Sequence, residues 1–99
     1  MPTQATSEAR VVTALAQRYM TQLCKHFEHR LAVNYDAAAG QIAFPTGLCR
    51  LAVGANVLVL HAEAADAGSL DQLESVVARH LERFAFRDQP AIVWHRAAA

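Results

Sequence analysis

A thiol and an imidazole stand two residues apart in the run LCKHF, at Cys24 and His26, and both groups are ready metal ligands. On a helix, residues so spaced diverge by about 200°, so one ion cannot be gripped by both. His26 and His29 do have the i, i+3 spacing of a helical metal pair, which then needs a further ligand from another element. His80 is placed differently. It lies among Leu73, Val76, Val77 and Phe84 on the apolar side of a later helical segment, where an unpartnered imidazole is costly. It is either a core histidine donating to a backbone carbonyl or a carboxylate, or a ligand or proton-transfer group at a helix–sheet seam.

Cys24 and His80 form a second constellation if the inner edges of two helices meet over a sheet, because a thiol beside an imidazole is activated. The alternative is two unrelated core residues, since no third group is identifiable to orient the imidazole. The third constellation is His61, Glu63 and His95, which converge if the fifth and last strands are neighbours. Two imidazoles and a carboxylate suit zinc or ferrous iron. Polar groups at alternate strand positions are equally what an uncovered sheet face carries. No phosphate loop, dinucleotide fingerprint, nucleophile elbow or paired-cysteine zinc signature occurs. No catalytic residue is assigned, and the balance leans away from an enzyme.

The elements that must position these groups are organised around SLDQLESVVARHLERFAFRD, Ser69 to Asp88. Leu70, Leu73, Val77, Leu81 and Phe84 recur at helical spacing, with Val76 and His80 inside the same arc. Ser69 with Gln72 fits a capping box, and Asp66 is an alternative cap one turn earlier. Arg79, Arg83 and Arg87 gather at the end that favours cations, and Asp88-Gln89-Pro90 closes the segment. An earlier helix, capped by Thr13, runs from Ala14 to Arg30 and buries Ala16, Tyr19, Met20, Leu23 and Phe27. Its opposite face, with Arg18, Lys25 and His29, reads as solvated and basic.

Between the helices come short strands at Ala32 to Tyr35, Gln41 to Phe44, Leu48 to Val53 and Val57 to Glu63, joined by hairpin-length turns. Gly40 ends the first of these loops as a residue that tolerates positive φ. Ala5 to Val12 supplies a strand before the first helix, and Ala91 to Arg96 returns as the last. The order is β-α-β-β-β-β-α-β. The fold class is α+β: a two-layer sandwich, a largely antiparallel curved sheet with two helices on one face. With Leu58, Leu60 and Ala62 towards the helices, Val57, Val59, His61 and Glu63 face outwards; with Ile92 and Trp94 inwards, Val93 and His95 do too, and the reverse assignment exposes Trp94.

The totals set bounds on partners. Residues 1–99 make one domain with an ordered core of about 5–96, fraying at residues 1–4 and trailing Ala97-Ala98-Ala99. Nine Lys and Arg balance nine Asp and Glu, so no footprint for nucleic acid or an anionic membrane is present. No apolar run approaches a membrane span, and the N-terminal residues do not form a secretion signal, so a cytoplasmic location is the expectation. In that compartment Cys24 and Cys49 are expected as reduced core thiols.

At LCKHF, residues 23–27, at HLERFAFRD, residues 80–88, and at VWHR, residues 93–96, the sequence resembles domain-of-unknown-function family 2218, small bacterial proteins. The resemblance runs from Ala9 to Arg96 and includes the turn Ala43-Phe44-Pro45-Thr46-Gly47. It implies a stand-alone domain, in some members encoded beside or fused to siderophore-interacting ferric reductases, and hence an accessory role near iron acquisition. It carries over no catalytic residue. Three functions stay open: a binding or accessory domain linked to iron or siderophore handling, a small thiol- and histidine-dependent enzyme or redox protein using Cys24 and His80, and a homodimer built through the open sheet face. Iron, zinc and haem are the cofactors to test, at His80, His26, Cys24, His61, Glu63 and His95.

Overall fold

Side-chain alternation decides which way the sheet faces. In strand β5, Val57–Ala64, residues 58, 60, 62 and 64 are buried and the residues between them are half-exposed. The computed structural model describes residues 4–97. Its other elements are β1 (Ala5–Val12), α1 (Ala16–Phe27), β2 (Ala32–Tyr35), β3 (Ala39–Phe44), β4 (Gly47–Gly54), α2 (Ala67–Phe84) and β6 (His95–Arg96). The strands form one six-stranded sheet in the order β2-β3-β4-β5-β1-β6, with antiparallel neighbours throughout. This is the expected α+β architecture, with the meander β2 to β5 intact and β1 inserted between β5 and β6.

Register brings the apolar residues onto one face. Leu60 stands opposite Ala9 on one side and Leu51 on the other, and Cys49 stands opposite Ile42. Met20 and Leu23 of α1 and Leu70, Leu73, Val77 and Leu81 of α2 fill the same core, none of them more than 1% exposed. Both helices therefore cover one face, and their apolar stripes supply the burial that holds the two layers together. Among the described residues, no helix is long and apolar enough to cross a membrane.

The element ends differ from expectation for identifiable reasons. Asp66, in extended conformation, caps α2 by accepting from the Ser69 amide at 2.7 Å, so the helix starts a turn before the Ser69–Gln72 box. At the other end Ala85 leaves helical geometry and Gln89 takes φ 45°, which turns the chain before Pro90 and leaves Arg87 and Asp88 beyond the helix. Helix α1 is shorter than Ala14 to Arg30. Thr13 accepts from the Leu15 amide at 3.1 Å and donates to Asp88 at 2.6 Å, pinning the chain just ahead of the helix.

The last strand is also shorter than Ala91 to Arg96. Only His95 and Arg96 pair with β1; Arg10, Val12, Ala91 and Val93 line a hollow of about 190 Å³ just beyond the paired residues. Ala97 nevertheless donates to the Thr6 carbonyl at 3.1 Å, so it continues the pairing rather than trailing. The rest of the expected loose ends, residues 1–3 and 98–99, lies outside the described residues. Gly40 does not have positive φ; a Cβ there would stand 3.0 Å from Tyr35 Cβ and 3.1 Å from Cys24 Sγ, so close packing explains the glycine.

Candidate functional site

The helix periodicity that buries Leu23 and Leu81 also sets their neighbours His26, Phe27, His80 and Phe84 at the seam where α1 and α2 meet the sheet. Phe27 is the hub. Its ring centroid lies 4.9 Å from Phe44 of β3, 4.9 Å from His26 and 4.8 Å from His80. The two imidazoles are themselves 4.9 Å apart, tilted by 44°, and His26 meets Phe84 edge-on at 5.8 Å. Edge-to-face and tilted contacts at these separations are the favourable geometries for aromatic rings.

One hydrogen bond fixes the chemistry of His80. Its Nδ1 lies 2.7 Å from the Val76 carbonyl oxygen, one turn back on its own helix. A carbonyl can only accept, so Nδ1 carries the proton, and in the neutral ring Nε2 keeps a bare lone pair. A metal-binding histidine is held in the same way, its second ring nitrogen tied to a carbonyl or carboxylate. His80 is half-buried and His26 exposed. Desolvation, followed by the positive fields of His80, Arg83, Arg30 and His29, lowers the His26 pKa below the ordinary 6.5, which favours a neutral ring.

Cys24 does not join this pair. It is fully buried and directed at β3, where its Sγ would crowd a Cβ on Gly40. Burial, with a smaller contribution from Glu28, pushes its thiol up to about 11. Cys49, also buried and free, is pushed up to about 12 by burial and by Cys24. Both thiols are protonated at neutral pH, so the activation expected of a Cys24–His80 couple is not present.

On the uncovered face, the expected convergence of His61, Glu63 and His95 is corrected by strand order. β1 lies between β5 and β6, and Glu8 of β1 stands opposite His61 on one side and His95 on the other. With neighbouring strands about 4.8 Å apart, the two histidine backbones are roughly 10 Å apart. His61 and Glu63 do meet, Nε2 to Oε1 at 3.4 Å, and Arg50 reaches the same carboxylate at 3.5 Å. Glu8 is the residue that sequence reasoning missed, although its alternation with Thr6 and Arg10 already placed it outwards. Among the described residues, no three His, Cys, Asp or Glu side chains are grouped so as to hold a metal ion. A shallow dent of about 620 Å³ at the β2–β4 edge includes Tyr35, Gln41 and Arg50 and has no histidine in its lining.

A family model described as "Uncharacterized protein conserved in bacteria (DUF2218)" matches residues 8–95, which include every candidate residue above. The chain belongs to that family. This DUF2218 chain is similar to a solved protein from Pseudomonas aeruginosa, titled "NMR structure of PA4090 from Pseudomonas aeruginosa". Identity is 33%, the match covers 93% of this chain and 94% of that one, and the TM-score is 0.72. No curated protein matches the sequence. The solved neighbour shares the fold, and neither comparison names a ligand.

Proposed function

We propose that the chain is a binding or accessory domain whose ligand is taken up at the interhelix seam by His26 and His80. What supports this is the pairing itself. Two histidines from separate helices are 4.9 Å apart, one with its tautomer fixed by Val76 and the other biased towards the neutral form. Two imidazoles are too few to fill a coordination sphere, so a metal held here keeps open positions for another molecule. The surroundings limit what that molecule can be. Arg83, Arg30 and His29 act on His26, and such a field disfavours a bare divalent cation and favours iron carried inside an anionic chelate. Iron or siderophore handling is therefore the form of the proposal to test first, consistent with the setting that the family resemblance implies.

Calorimetric titration of zinc, ferrous iron and ferric citrate, an anionic chelate that leaves iron open to further ligands, into the labelled chain is the test. The ferric chelate is expected to bind more tightly than either bare ion, and His26→Ala and His80→Ala are each expected to weaken it at least about tenfold, the loss of one good contact. Equal binding by both alanine variants would remove the seam as the site.

A further inference from the structure

Beyond the imidazole pair, we propose that the groove between α1 and the C-terminal end of α2 binds a small amphipathic anion, an aromatic or acyl body carrying a phosphate or carboxylate. The groove is a hollow of about 490 Å³. Arg18 enters it from α1, and Arg83 and Arg87 from α2 and the turn after it. The chain as a whole has no net charge, yet three guanidiniums converge here. Ion pairs among the described residues engage Arg50, Arg96 and His61, and none of these three.

Gathering like charges without a counter-charge is unfavourable, and an anion is the ligand that reverses the sign of that interaction. Guanidinium is also the side chain best shaped to hold phosphate or carboxylate with paired hydrogen bonds. Carboxylates nearby form no ion pair with these three arginines. Asp88 accepts from Thr13 at 2.6 Å and from the buried Tyr19 hydroxyl at 3.3 Å, and Glu82 lines a separate hollow beyond Phe86 with Gln89 and Pro90.

The apolar half of the ligand follows from the rim. Leu15 is 41% exposed and Phe86 63%, two of the few large apolar side chains left so open, and both line this groove. Arg87 lies over the Phe86 ring, its guanidinium carbon 5.5 Å from the centroid, so charge and aromatic surface already adjoin. A solvated basic face, expected for Arg18 from sequence, has no need of an apolar rim or of a second helix supplying two further arginines.

The probe is 1-naphthyl phosphate, titrated into the labelled full chain at low salt with amide shifts as readout, against inorganic phosphate and 1-naphthol. Shifts are expected at residues 15–22 and 83–87, with the naphthyl ester binding at least about tenfold more tightly than either half alone and weakening as salt rises. Arg83→Gln and Arg87→Gln, surface changes whose spectra report an intact fold, are each expected to lose about tenfold. His61→Ala, on the uncovered sheet face, is expected to bind the probe as wild type does, and unshifted amides around His80 separate this site from the imidazole pair. Shifts mapping elsewhere, affinity unchanged in both arginine variants, or phosphate binding as tightly as its ester would overturn the proposal.

Discussion

His80 shows how one hydrogen bond decides what an imidazole is available for. With Nδ1–H committed to Val76, replacing the ring by leucine loses one bond to a carbonyl that the helix also uses, and keeps the apolar contact with Phe27. His80→Leu is expected to change unfolding free energy by less than about 1.5 kcal/mol, measured in urea, while abolishing chelate binding. His26 predicts a pH effect of definite sign. Its folded pKa is depressed, so above 6.5 both states are neutral and stability is complete; as pH falls through the lowered value the unfolded chain takes up the proton first and stability is lost. His26→Gln should remove that part of the acid sensitivity in urea titrations, and a depression that persists in the variant would assign it elsewhere. The thiols give a third prediction. With pKa values of about 11 and 12, Cys24 and Cys49 should react with iodoacetamide only as fast as the fold opens, and rapid alkylation at pH 7 would contradict their burial. At this scale the sequence identified His80 as needing a carbonyl, carboxylate or ligand. It could not identify His26 as its neighbour, because the approach of two helices is set by packing and not by the periodicity of either.

Among the elements, α2 carries the burial that holds both layers. Leu81 has no exposure and sits one residue from His80, so Leu81→Ala should cost about 2–5 kcal/mol in a urea or thermal unfolding experiment. Gly47 opens β4 where the backbone of β5 comes close, and a Cβ there would stand 2.0 Å from the Glu63 carbonyl oxygen. Gly47→Ala should therefore destabilise more than an alanine at Gly68, where the nearest atom is the Asp66 carboxylate at 3.6 Å, and equal melting points would refute the contact. Element types and buried stripes were legible because periods of 3.6 and 2 are written in the apolar residues. Their ends were less so. Asp66 and Ser69 are both competent caps, and the choice between them depends on where β5 releases the chain. That β6 pairs with β1 at His95 and Arg96 alone is a long-range outcome that no local pattern encodes.

For the whole molecule, two opposite faces offered themselves as sites, and strand order separates them. The row His61, Glu8, His95 sets a carboxylate residue between two histidines on the uncovered face, with Glu63 already engaged by His61 and Arg50. The helix layer instead collects unpaired arginines and an imidazole pair. Outward alternation made His61, Glu63 and His95 visible in the sequence, but insertion of β1 between their strands is a long-range pairing with no local signature. The most direct test is paramagnetic mapping with ferric citrate, an anionic chelate, added to the labelled chain. Amide signals at residues 23–30 and 76–87 should broaden first, with those of 61–63 and 95 unaffected at the same ratio. Broadening centred on His61, Glu8 and His95, or none at chelate excess, would contradict a helix-layer site.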